Sequence, residues 1–247
     1  MKSVCKQLFR RIKYTKAFIK TLIVFLLVSV TTIISGVVQM SEYTLEEFLG
    51  SFDTCTTFST IIIISFVSLT LGSEFKNKTI YYTIMNGHSR KVVFLGKLVG
   101  FLPYIILLSL VQSVILYSVF ALMTNNEFFG LYIHHLALNS FAFLIVYISY
   151  AILSLSFSFM TRSAIGGIGG SLITMIVFNI IYILLNLSEL NLFSFELSHF
   201  FGMFLFRFLL ENNTNINFQL VVILIYALLS VVYLLIGYNI FKKDDLT

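Results

Sequence analysis

Six stretches of about twenty or more residues, each almost free of charge, set the terms on which this chain can fold: 21–40, 52–72, 98–123, 136–160, 164–187 and 218–241. A helix needs roughly 20 apolar residues to cross the hydrocarbon core of a bilayer. Inside that core every backbone N–H and C=O must be satisfied within the protein, so apolar stretches of this length span as helices. The expected fold is all-α, a six-helix transmembrane bundle. Composition agrees: 58% of residues are hydrophobic, 11% are charged and mean hydropathy is +0.97, against about 25% charged in soluble domains. With 27 Phe, 13 Tyr and no Trp, interfacial anchoring falls to Tyr, Phe, Lys and Arg. The first stretch follows a basic segment, as a signal peptide would. It is too long for the apolar core of one and lacks a small-x-small cleavage site, so it reads as a retained span.

Orientation follows from the basic residues, which favour cytoplasmic loops. Lys2, Lys6, Arg10, Arg11, Lys13, Lys16 and Lys20 precede the first span. Lys76, Lys78, Arg90, Lys91 and Lys97 lie at 73–97, Arg162 lies between spans four and five, and Lys242 and Lys243 follow span six. Fifteen of the sixteen Lys and Arg therefore share one side, with Arg207 alone on the other. Glu42, Glu46, Glu47, Asp53, Glu127, Glu189, Glu196 and Glu211 fall outside. This partition requires an even number of spans and places both termini in the cytoplasm of a cell-membrane protein. The hydrophobic run 197–210, broken by His199 and Arg207, is short for a span. Segment 188–217 is accordingly expected to be an outer re-entrant element.

Residues 1–20 predict an amphipathic helix lying in the headgroup plane. Val4, Leu8 and Ile12 recur every four residues, and Lys6, Arg10, Lys13 and Lys16 occupy the remaining surface. No linker or soluble domain interrupts the chain, so 1–247 reads as one transmembrane domain. The basic excess suits anionic lipid headgroups rather than nucleic acid.

Catalytic patterns are missing. There is no G-x-x-x-x-G-K-[ST] phosphate loop. No H-E-x-x-H or C-x-x-C pattern points to a metal, and adjacent His134 and His135 would diverge on a helix. Ser3 to Lys6 matches S-x-x-K in form alone, with no companion motif. Cys5 and Cys55 are too few for a disulfide framework and read as structural. No Asp, Glu, Lys, Arg or His lies in the middle of a span, which disfavours ion-coupled transport and an intramembrane enzyme. The chain is expected to be no enzyme and to need no cofactor or metal. Small polar residues concentrate in span two, from Thr54 to Thr70, and in span five at Ser171, Thr174 and Asn179. They serve either interhelical hydrogen bonds or a pathway lining. Gly166 and Gly170 form G-x-x-x-G, a close-packing signal.

The segment from Gly72 to Lys97 is the most distinctive. Ile80, Ile84 and Met85 form an apolar helical stripe. Asn86-Gly87 is a stop, and His88-Ser89-Arg90 opens a second short basic helix. A topogenic loop needs only a few basic residues, whereas this one is amphipathic and aromatic. With Glu74-Phe75, Asn77 and Thr79, Ser89-Arg90 and Gly96-Lys97, it resembles the signature of ABC-2 type permeases. The run from Gly87 to Arg90 resembles their bacitracin- and lantibiotic-resistance branch. Lys78 departs from the pattern, standing where that family often has Gly.

The resemblance implies the membrane half of an ATP-driven exporter, in which two permease copies, or a permease and a paralogue, pair with two separate ATP-binding subunits. It implies that 73–97 is a coupling segment, with Glu74, Phe75, Thr79, Tyr82, Arg90 and Lys97 serving the ATPase. Glu74 and Arg90 would make polar contacts with it, and Phe75 and Tyr82 would fill its groove. Spans two and five would line the path, with Thr57, Phe58, Ser65, Asn179 and Tyr182 as its residues, and 188–217 would cap it outside. The implied cargo is an antimicrobial peptide, lantibiotic or similar amphipathic compound. A non-transporting sensor or assembly subunit is the alternative, and it leaves the structured loop unexplained.

Overall fold

In a computed structural model, the structure describes residues 1–39, 45–123, 129–187, 191–192, 195–196 and 216–243, with side chains described in most of 1–34, 55–118, 140–180 and 224–243. Among the described residues there are eight helices: α1 (Lys2–Thr15), α2 (Ala17–Gln39), α3 (Leu45–Lys76), α4 (Thr79–Met85), α5 (Arg90–Met123), α6 (Phe129–Thr161), α7 (Ala164–Leu187) and α8 (Ile216–Lys243). A two-residue antiparallel ladder, β1 (Asn191–Leu192) with β2 (Phe195–Glu196), pairs Asn191 with Glu196 and Leu192 with Phe195. It is too small to alter the all-α class, which the eight helices bear out. It falls within 188–217, of which the run 197–210 lies outside the described residues.

The long helices match the apolar stretches in place, and all but α7 exceed them in length. α3 has 32 residues and α5 has 34, so each runs about 50 Å at 1.5 Å per residue, well past a hydrocarbon core of about 30 Å. Among the described residues, three segments are long and apolar enough to cross a membrane, Cys55–Lys76, Arg90–Ile115 and Phe143–Thr161, and the bent pair α1–α2 makes up to four. The chain is thus compatible with a multi-pass membrane protein.

Serine and glycine make the helix contacts. Ser68 on α3 lies 2.6 Å from Ser154 on α6, which donates to the Ile64 carbonyl at 2.9 Å. Ser149 on α6 lies 2.7 Å from Ser230 on α8, and Ser156 donates to the Tyr233 carbonyl. A Cβ on Gly237 would fall 2.6 Å from that of Ser156. With lipid as apolar as the side chains, close approach and interhelical hydrogen bonds supply the specificity that hydrophobicity cannot. The G-x-x-x-G pair divides its duties. Gly170 and Gly166 abut Phe157 and Thr161 of α6, while Gly167 packs on Ser158 and on Ser68 of α3.

Three basic residues adopt left-handed backbone where helices break: Lys16 between α1 and α2, Lys78 between α3 and α4, and Arg162 between α6 and α7. The break at Lys16 turns α1 by 64° from α2. α1 does not lay its apolar stripe in the headgroup plane. Val4, Leu8 and Ile12 are fully buried, and the first two sit on Gly96 and Gly100 of α5, where an added Cβ would lie 3.0 and 2.6 Å from them. Both destinations are apolar, but the paired glycines let the helix backbones meet, and burial of each side chain is worth about 2 kcal/mol.

Candidate functional site

α4 is short, with a fixed start and a fixed end. Lys78, at φ 55°, turns the chain out of α3, so the turn keeps a glycine-like backbone although a lysine occupies it. Asn86 ends α4, and Gly87, at φ 88°, supplies the other left-handed residue. Ser89 then caps α5, its Oγ accepting from the Val92 N–H at 3.4 Å. α5 runs from Arg90 to Met123, so the short basic helix expected to open at His88–Arg90 and lead into span three is the first part of α5. Pro103 lies inside α5 and removes one backbone donor, but the helix continues through it to Met123.

The stripe on α4 differs from the one expected. Ile80 and Thr83 are buried and Ile84 is half-buried, but Met85 is 79% exposed. It stands with Tyr82, which is 60% exposed. A seven-residue helix with one face held and a Tyr–Met pair outward offers an apolar surface with a polar rim of Lys76, Asn77 and Lys78, all exposed.

The other expected contact residues form the frame beneath that surface. Glu74 and Lys97 are 2% and 3% exposed and are paired, with Nζ 2.8 Å from Oε1 and 2.6 Å from Oε2. A carboxylate so enclosed has no surface left for another subunit, so its role is to tie α3 to α5. Phe75 is buried as well. It joins an aromatic cluster in which ring centroids lie 5.4 Å (Phe75–Phe159), 4.9 Å (Phe94–Phe159) and 4.6 Å (Phe159–Phe241) apart. Arg90 donates to the carbonyls of Phe241 and Lys242 at 3.0 and 2.8 Å, with its guanidinium 6.0 Å from the Phe241 ring centre. It holds the C-terminal end of α8, where helix carbonyls lack partners and attract cations. The Thr79 hydroxyl donates back to the Glu74 carbonyl at 3.0 Å and accepts from Arg11 at 2.9 Å.

Arg11 belongs to a polar row on α1, the helix that the resemblance implies packs beside the coupling segment. Ser3, Gln7 and Arg11, four residues apart, run along one edge of α1 and meet the segment in reverse order. Ser3 Oγ lies 2.7 Å from His88 Nε2, and Thr83 Oγ1 lies 3.4 Å from Gln7 Oε1. Arg11 also donates to the Ser73 carbonyl at 2.9 Å. The spacing of these three was visible in the sequence, and so was the Gly96/Gly100 pair.

Of the expected path residues, Phe58 is 45% exposed and Thr57 and Ser65 are half-buried on α3. The Ser65 hydroxyl donates to its own helix at the Ile61 carbonyl. Asn179 and Tyr182 lie on α7, and their side chains are outside the described residues, as are those of His134 and His135 on α6. A buried polar group joins α3, α5 and α6: the Tyr147 hydroxyl donates to Gln112 Oε1, and Gln112 Nε2 lies 3.8 Å from Cys55 Sγ. Cys5 and Cys55 are both free thiols, and Cys5 donates to the Gly96 carbonyl at 3.2 Å. Among the described residues no group of three or more His, Cys, Asp or Glu comes together.

No protein-family model matches the chain, and no curated protein matches it.

Proposed function

We propose that this chain is the permease subunit of an ABC-2 type exporter and that α4 is its docking element for a separate ATP-binding subunit. Six spans place α4 and both termini in the cytoplasm, with 188–217 as an outer re-entrant element. Two copies of the chain, or this chain and a paralogue, pair with two ATP-binding subunits in the cell membrane. The cargo is an amphipathic compound such as an antimicrobial peptide or lantibiotic, so the activity confers resistance or immunity.

One observation carries this reading: Tyr82 and Met85 face outward from a helix whose opposite face is held by α1, α3 and α5. A topogenic loop requires no such support. An external motor also accounts for a chain without a phosphate-binding loop and without ionisable residues in mid-span. Ligand binding shifts a conformational equilibrium only through differential contacts with the two states. In this mechanism Tyr82 and Met85 make the contact. Glu74, Phe75, Thr79, Arg90 and Lys97 form the rigid frame that carries displacement of α4 into α3, α5 and α8. The half-open α3 face with Thr57, Phe58 and Ser65, together with Asn179 and Tyr182 on α7, lines the path.

The test is whether a Walker-type ATPase co-purifies with the tagged chain from native membranes, identified by mass spectrometry. Tyr82→Ala/Met85→Glu should reduce the recovered ATPase at least about tenfold, as loss of a central aromatic contact does, while leaving the permease folded. Wild-type recovery by the double variant would overturn the docking assignment.

A further inference from the structure

We infer that the outward face of α1 is a binding surface for anionic phospholipid headgroups. α1 presents three sides. Val4, Leu8 and Ile12 are sealed against α5, and Ser3, Gln7 and Arg11 are bonded to the 73–88 region. The third side carries Lys2, Lys6, Arg10 and Lys13, all exposed, and at 100° per residue these four fall within an arc of about 80°. Lys16 and Lys20 extend the set across the bend, and both are exposed. Glu74 is the one acidic side chain among the described ones, and Lys97 already holds it. Six cations therefore face outward without a described counter-charge.

Position selects the occupant. Lys20 lies in the first turn of α2, whose exposed side chains above it include Ile23, Val24, Leu27, Val30 and Ile34. The layer beneath such a surface holds lipid phosphates, and clustered Lys and Arg at that level attract anionic lipid. Phe9 borders the basic arc, partly exposed, with its ring 5.5 Å from that of Tyr104 on α5. It provides an apolar edge beside the headgroups. Because the other two sides of α1 hold it in place, the cations are arranged before lipid arrives. The arrangement differs from a free amphipathic helix, which spends its apolar face on the bilayer.

The experiment immobilises the purified full chain and washes it with mixed micelles containing equal phosphatidylglycerol and phosphatidylcholine, followed by quantification of retained lipid. Wild type should retain phosphatidylglycerol in clear excess, and the excess should fall as salt is raised. Lys2→Gln/Lys6→Gln/Arg10→Gln/Lys13→Gln should lower it at least about tenfold. A companion with Arg at positions 2, 6 and 13 should keep it. Amide exchange across α1 should match wild type in both variants, since neither the stripe nor the polar edge is altered. If α1 exchanges faster in the Gln variant, the salt dependence of wild type and the Arg companion decide. Equal retention of the two lipids by wild type would overturn the inference. So would full retention by the Gln variant. The assay contains no ATP-binding subunit, so its outcome is independent of the docking reading.

Discussion

Glu74 and Lys97 stand twenty-three positions apart in the chain, and their charged atoms approach to 2.6 Å where almost no solvent reaches. Removing one partner of such a pair strands the other, at a cost of about 3–5 kcal/mol. Glu74→Gln and Lys97→Met should each lower the thermal midpoint in detergent sharply, and the two together should recover most of the loss. Equal additive losses would show that the groups act separately. Lys78 presents the opposite case, a non-glycine side chain at φ 55°, which costs about 1 kcal/mol relative to glycine. Lys78→Gly should leave stability unchanged or raise the midpoint slightly, whereas Lys78→Val should lower it. Residue types in this segment were legible in the sequence, but their directions were not. Glu74 and Phe75 carry the family-like pattern, and they point inward because α3 extends a full turn beyond its apolar stretch before it breaks. Where that break falls decides which side chains reach the surface, and a departure such as Lys78 conceals it.

At the scale of elements, α1 shows what periodicity can and cannot say. The four-residue repeat of Val4, Leu8 and Ile12 defines an apolar face, and that face is buried. Nothing in α1 itself distinguishes lipid from a helix as the covering surface. The distinguishing signal lies ninety residues away, in the paired glycines of α5. Gly100→Leu should drive Leu8 off α5, since even a bare Cβ would lie 2.6 Å from it. Cys5 then loses its place against the Gly96 carbonyl, so maleimide labelling of Cys5 should quicken several-fold while the remaining helices stay protected. An unchanged labelling rate would mean that α1 is not held there. The six apolar stretches were legible as helices because length and lack of charge dictate helix in lipid. The short ladder at 191–196 had no such signal.

At the scale of the molecule, the frame beneath α4 reaches four long helices. Glu74 and Lys97 bind α3 to α5, the Phe75–Phe159 and Phe159–Phe241 contacts bring in α6 and α8, and Arg90 fastens the end of α8. A push on α4 therefore meets a connected body rather than a loose loop. In the proposed topology, which rests on the charge partition of fifteen basic residues to one, this body lies on the cytoplasmic side. Cysteines introduced at Lys78 and Asn86 should react only with a reagent admitted from inside, and one at Asn125 only from outside. Labelling of position 78 in intact cells by an impermeant reagent would reverse the topology.

A photo-crosslinker placed on the exposed side of α4 reports whether that side touches an ATP-binding subunit, as proposed. With p-benzoylphenylalanine at position 82 or 85 in native membranes, the account predicts an adduct containing a Walker-type ATPase. Placed at buried position 80, the same probe should give none. Absence of that adduct from both exposed positions, or its equal appearance from position 80, would contradict the account.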